Sequence, residues 1–129
     1  MLSFTSAVQI FLATEPADMR KSIDGLSAIV RNQWGADLFS GHLFVFVSRR
    51  GDRVKILTWS AGGFVVYYKR LEKGRFRLPP VTADAAHVPL DATQLAMLLD
   101  GIDYARVPAP RRWNPPARSK EGIDRSAGI

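Results

Sequence analysis

Three runs rich in Val, Ile, Phe, Tyr and Trp follow one another through the middle of the chain: Leu43–Arg50, Arg53–Trp59 and Phe64–Leu71. The breaks between them are Gly51-Asp52 and Ser60-Ala61-Gly62-Gly63, which carry the small residues that hairpin turns favour. Short strands joined this closely pair with their neighbours, so the sequence predicts an antiparallel meander. A further turn at Lys73-Gly74 predicts a fourth short strand, Arg75–Leu78, stopped by Pro79-Pro80.

Helical signals flank this block. Val8–Leu12 reads as a strand ended by Glu15-Pro16, after which Asp18 is placed to cap a helix. Met19, Ile23, Leu26 and Val30 form one face of that helix, and Gly35 stands where it should stop. Gly25 inside it costs about 1 kcal/mol against alanine, which points to close packing there. Asp91 caps a second helix, with Gln94 spaced for a capping box and Leu95, Leu98, Leu99 and Ile102 on one face before Gly101. The tail from residue 105 holds Pro108, Pro110, Pro115 and Pro116 with few large apolar residues, too few for a core of its own. The expected fold is α+β: a small antiparallel meander packed with two helices in a single domain over residues 1–104. A basic, proline-rich, mobile tail is expected over 105–129.

Charge narrows the function. Eighteen Lys and Arg against twelve Asp and Glu give a net charge of +6 and a pI near 10.2, which favours a polyanionic partner. Nine cations crowd between Arg49 and Arg77, facing only Asp52 and Glu72 there, and the tail is basic as well. A two-residue turn at Gly51-Asp52 would set Arg50 opposite Arg53, Ser48 opposite Lys55, Phe46 opposite Leu57 and Phe44 opposite Trp59. Pairing of Trp59 with Phe64 would then set Lys55 opposite Tyr68 and Arg53 opposite Arg70. Cations from three strands converge at one end of such a sheet, where like charges repel unless an anion offsets them. The candidate nucleic-acid-binding residues are therefore Arg49, Arg50, Arg53, Lys55, Lys69, Arg70, Lys73, Arg75 and Arg77, with Arg111 and Arg112 in the tail. The plainer alternative is that cations near hairpin tips are solvated and deter edge aggregation. Tyr67, Tyr68, Phe76 and Trp113 lie among these cations as candidate stacking rings. Of Tyr67 and Tyr68, one is expected in the core, because strand neighbours face opposite ways.

Other functions find little support in the residues. There is no cysteine, so neither disulfides nor thiolate chemistry is available. His42 and His87 lack metal-ligand spacing, and the glycines at 62–63 join two strands instead of opening a helix that would hold phosphate. No catalytic activity, metal or cofactor is expected. No apolar run approaches the roughly 18 residues that cross a bilayer, and the Met1-Leu2-Ser3-Phe4 start lacks a basic leader. A cytoplasmic protein with no membrane contact is the expectation.

Several blocks carry a family resemblance. They are Ile10–Ala13, Ala17-Asp18-Met19-Arg20-Lys21-Ser22-Ile23-Asp24-Gly25-Leu26, Phe39–Phe46, Val54–Trp59, Gly63-Phe64 and Tyr68-Lys69-Arg70-Leu71-Glu72-Lys73-Gly74-Arg75-Phe76. Together they resemble the TnpB accessory proteins of insertion-sequence 66 elements, short second-frame proteins encoded beside the transposase. The most specific positions are Asp18, Met19, Arg20 and Lys21 in one block and Lys69, Arg70, Leu71 and Glu72 in the other. Two positions depart from the family habit: Ser60 where an acidic residue is common, and Ser22 where glycine is common. The resemblance implies a role in transposition beside a transposase and other element-encoded proteins. Two readings stay open: contact with DNA at transposon ends, and an adaptor that binds the transposase without touching DNA. Self-association is compatible with either. An anionic-membrane binder is a weaker third reading, since the basic tail has a tryptophan but no wide apolar helix face.

Overall fold

A computed structural model describes residues 8–80 and 84–100. Five strands form one sheet: β1 (Ile10–Ala13), β2 (Leu43–Val47), β3 (Arg53–Ser60), β4 (Gly63–Arg70) and β5 (His87–Leu90), in the order β4-β3-β2-β1-β5. The β2-β3-β4 meander is present as expected. β1 lies beside β2 and runs parallel to it, and β5 closes the far edge antiparallel to β1. The sequence reading missed β5, because four residues interrupted by Pro89 make a weak strand signal.

One helix covers each face of the sheet. α2 (Ala92–Leu99) drives Leu95 and Leu98 onto Ile10, Leu12, Val45, Val47, Val54 and Ile56. On the opposite face, α1 (Ile23–Ala28) continues into a π-helical turn (Ile29–Gln33), and Leu26 and Val30 pack on Phe44, Phe46 and Leu57. Central β2 is covered from both sides, so all five of its residues are buried. That double burial explains its unbroken Leu-Phe-Val-Phe-Val run, which shows no alternation.

Several local readings shift. Asp18 does not cap α1; Ser22 holds that position, and the first helical bond runs from the Leu26 amide to the Ser22 carbonyl. Asp18 instead accepts from the Arg20 amide at 2.9 Å, closing a separate turn over residues 18–21. Met19 thus sits ahead of the helix yet still packs against its core cluster, which is why it matched the helical spacing. Gly35 takes a left-handed φ of 63° at the helix stop, as expected. A Cβ at Gly25 would lie 2.8 Å from that of Lys21, so this glycine does mark a close approach.

The second hairpin has the expected register, with Arg53 opposite Arg70 and Trp59 opposite Phe64. The first does not: Phe44 pairs with Leu57 and Val47 with Val54, two residues away from the expected alignment. The turn is four residues long instead of two. The Ser48 hydroxyl accepts from the Arg53 amide at 3.1 Å and donates to Asp52 at 3.2 Å, and Gly51 adopts φ 78°. A two-residue slip preserves which face each side chain occupies, so Phe44, Phe46 and Leu57 still share one face. Residues 75–78 form no strand. Their order comes from Phe76, which is buried against the α2-side core and donates its amide to the Gly51 carbonyl at 2.7 Å. Tyr67 and Tyr68 are both exposed, since β4 is an edge strand. The expected tail and the 104/105 boundary lie outside the described residues.

Asp91 and Gln94 form the full reciprocal capping box, each side chain bonded to the other's backbone amide, at 2.7 and 2.9 Å. Asp91→Ala should lower folding stability by about 1 kcal/mol. Urea unfolding checks this, and an unchanged midpoint would show that α2 does not depend on its cap.

Candidate nucleic-acid interface

The β2–β3 turn stands at the centre of a cationic region, flanked by one groove on each side. The larger has a volume of about 990 Å³ and runs between the residue 15–21 segment, the π-helical turn and the β2–β3 turn. Arg20, Lys21, Arg49, Arg50 and Arg53 line it, with Glu15, Asp18 and Asp52 as the anions. The smaller, about 450 Å³, is lined by Arg49, Arg50, Arg75 and Arg77, with Glu15 as the anion. Arg49 and Arg50 therefore border both.

Strand pairing creates this convergence. The parallel β1–β2 pair carries the chain past the end of β1, where the Ala17 amide donates to the Val47 carbonyl at 2.9 Å and Ala17 bridges Ser48. The Asp18–Lys21 turn is thereby brought beside the β2–β3 turn. On the other side, burial of Phe76 sets Arg75 and Arg77 facing outward.

The expected binding residues differ in surroundings. Arg49, Arg50, Lys73, Arg75 and Arg77 are exposed. Arg53 is half-buried, and its Nε is buried without a hydrogen-bond partner among the described residues. A buried N–H without an acceptor is costly. Arg70 is held by Glu72, with Nη2 3.0 Å from the carboxylate, and this pair raises the arginine's pKa. Lys69 turns its amine to the Leu99 carbonyl at the end of α2. Lys55 is buried, and its Nζ donates to the Met19 and Lys21 carbonyls at 2.9 and 2.8 Å beneath the Tyr68 ring. Both lysines are thus committed to internal carbonyls, and neither is oriented toward an external phosphate. Lys73 lines neither groove. Arg111 and Arg112 lie outside the described residues.

Arg20 and Lys21 enter the site although the charge count in the sequence passed over them. They lie far from the Arg49–Arg77 cluster in the chain, and only the parallel crossover joins them to it. Arg20 makes a forked contact with Asp18, its Nη2 2.8 Å from the carboxylate, which holds that carboxyl well below the ordinary value of 3.8. A depressed carboxylate pKa stabilises the turn fully above the ordinary value, and this support fades as pH falls further. The pair is solvent-exposed, so it organises the turn more than it stabilises the fold. Lys55 links the two family blocks, its amine bonded to the Met19 and Lys21 carbonyls and lying under the Tyr68 ring that opens the second, while the Leu71 amide donates to the Asp52 carbonyl at 2.8 Å.

Among the described residues, no three His, Asp or Glu side chains cluster to hold a metal, and no helix is long and apolar enough to cross a membrane. The described residues thus form a five-stranded sheet with one helix on each face and arginine-bordered grooves at one end. The chain belongs to the IS66 Orf2 like protein family, whose model matches residues 8–109. That membership implies a transposition-associated accessory role. Two Sinorhizobium fredii proteins, the uncharacterized y4jC and y4hO, are each 35% identical, over 83% and 89% of this chain and 90% and 96% of their own lengths. No solved structure matches the chain.

Lys55→Met should destabilise the fold by about 1–3 kcal/mol, because two inward-facing carbonyls lose their donor. Chemical denaturation checks it. An unchanged midpoint would mean that water serves these carbonyls equally well.

Proposed function

We propose that this protein is a non-catalytic accessory factor of transposition that contacts DNA through the arginine-bordered grooves at the β2–β3 turn and so assists a transposase. The observation that carries this reading is the convergence of Arg20, Lys21, Arg49, Arg50 and Arg53 on one groove, from segments far apart in the chain. Guanidinium groups bind phosphate oxygens in pairs, and phosphate contacts position a protein on a duplex without reading its sequence. Weak sequence preference is therefore expected of the isolated protein, with site selection left to the transposase.

A second reading has its own support at the opposite end of the sheet. Phe39, Trp59 and Phe64 pack mutually with ring centroids 4.9–5.6 Å apart, and Phe39 is 57% exposed. Aromatic clusters of this kind anchor protein interfaces. The adaptor reading assigns the transposase contact to that end and needs no DNA.

Fluorescence anisotropy with an element-end duplex and a scrambled duplex, at two salt concentrations, separates the two. DNA contact predicts binding that weakens steeply with salt. In Arg49→Ala/Arg50→Ala/Arg53→Ala the slope of log affinity against log salt should become shallower by about 0.9 for each phosphate contact removed. No binding at low salt, alongside co-purification with the transposase after nuclease treatment, would sink the DNA reading and leave the adaptor.

A further inference from the structure

The two edges of the sheet are built differently. β5 is four residues long and carries Pro89, which has no amide to offer, so this edge resists further pairing. β4 is eight residues long, contains no proline, and pairs with β3 in unbroken register from Arg53–Arg70 to Ser60–Gly63. Its side chains at Val65, Tyr67 and Tyr68 are 45%, 43% and 50% exposed.

The orientation of its outer backbone follows from one bond. The Leu71 amide donates to Asp52, so alternate residues 69, 67, 65 and 63 also turn inward to β3. Phe64, Val66, Tyr68 and Arg70 then present their amides and carbonyls outward, and no backbone partner for them occurs among the described residues. A long, regular, apolar edge with free donors and acceptors is a template for another strand.

We infer that β4 pairs with β4 of a second copy of this chain, antiparallel about a two-fold axis at Tyr67, joining two sheets into one. The charge pattern of the strand selects this occupant. β4 runs from an apolar half (Phe64, Val65, Val66) to a cationic end (Lys69, Arg70). Antiparallel self-pairing centred on Tyr67 sets Val66 opposite Tyr68, Lys69 opposite Val65 and Arg70 opposite Phe64. Every cation meets an apolar or aromatic neighbour, and the guanidinium lies over a ring. A parallel self-pair would instead stack Lys69 on Lys69 and Arg70 on Arg70. A one-residue shift would pair outward-facing with inward-facing backbone, and a two-residue shift toward the start of the strand would set Lys69 opposite Gly63, which has no side chain for the lysine stem to cover. In the chosen register the hydrogen-bonded pairs use the outward-facing residues 64, 66, 68 and 70, as the backbone requires. Tyr67 meets its own copy in a non-hydrogen-bonded pair, where side chains approach most closely. The two-fold axis points the two cationic ends in opposite directions, giving the dimer two separate anion-binding regions.

Sedimentation equilibrium of the full chain, without DNA, over a wide concentration range should show a reversible dimer of the 14.3 kDa protomer. Val65→Lys sets a second ammonium against Lys69 of the other copy and should weaken association about tenfold, with an unchanged circular dichroism spectrum. Because the chain has no cysteine, Tyr67→Cys gives one thiol per protomer at the axis. It should oxidise to a covalent dimer faster than Thr93→Cys, an exposed position at the start of α2, next to β5 at the other edge. A monomer at every concentration overturns the inference. So does a dimer that V65K leaves intact while Y67C forms no disulfide, since association would then use another surface. None of these readouts depends on DNA contact, so the two proposals stand or fall separately.

Discussion

The buried amine of Lys55 organises more of this structure than any other single group. It rises from the middle of the central hairpin and ends on the carbonyls of Met19 and Lys21, covered by Tyr68. A helix beginning near residue 19 would use those carbonyls internally. By holding them, Lys55 delays α1 until Ile23 and leaves residues 18–21 as a turn with Arg20 and Lys21 facing out. A cation that could have served at the surface is thus used to position other cations. Burying an ammonium is expensive unless it is fully bonded, and the two carbonyls and the ring supply that compensation.

The cationic region depends on the same constraint. Two arginines in the β2–β3 turn and a third at the start of β3 are a local feature of the hairpin, but a groove needs an opposite wall. That wall is the 15–21 segment, held at Val47 by the Ala17 amide and over β3 by Lys55. The Phe76 anchor builds the second groove likewise, since burying one ring forces its arginine neighbours outward. Repulsion among so many cations opposes this arrangement, and only Asp18 and Glu72 hold arginines in direct ion pairs among the described residues. The Nε of Arg53 adds to that cost, being buried without a hydrogen-bond partner among the described residues.

What the sequence made legible follows from how local each signal is. The Asp91 capping box, the Gly35 stop and the β3–β4 register all rest on residues within a few positions of one another, and all were readable. Asp18 misled because an Asx-type turn and a helix cap call for the same residue, and only the distant Lys55 decides between them. The first hairpin misled because Gly51-Asp52 suits a two-residue turn, while the Ser48 hydroxyl closes a four-residue one. β5 was invisible because its strand character comes entirely from pairing with β1. Of the site, the arginines around the turn were legible as charge density. Arg20 and Lys21 were not, since their contribution arises from a parallel crossover that local patterns do not encode. Lys55 and Lys69 were counted with the arginines because composition cannot distinguish an outward ammonium from one spent on a carbonyl.

The two ends of the sheet bear on how an accessory factor of this size can act. Aromatic residues gather at the β3–β4 turn and cations at the β2–β3 turn, separated by the length of the hairpin. Such a separation lets a phosphate backbone and a protein surface be held at once, because neither partner need displace the other. Guanidinium–phosphate contacts lose strength with salt, whereas aromatic burial does not depend on it in the same way. A protein contact through the aromatic end would therefore persist where the DNA contact fades. The DNA-contact and adaptor readings consequently assign different ends of one rigid sheet, and the salt response of each assembly distinguishes which end holds it together.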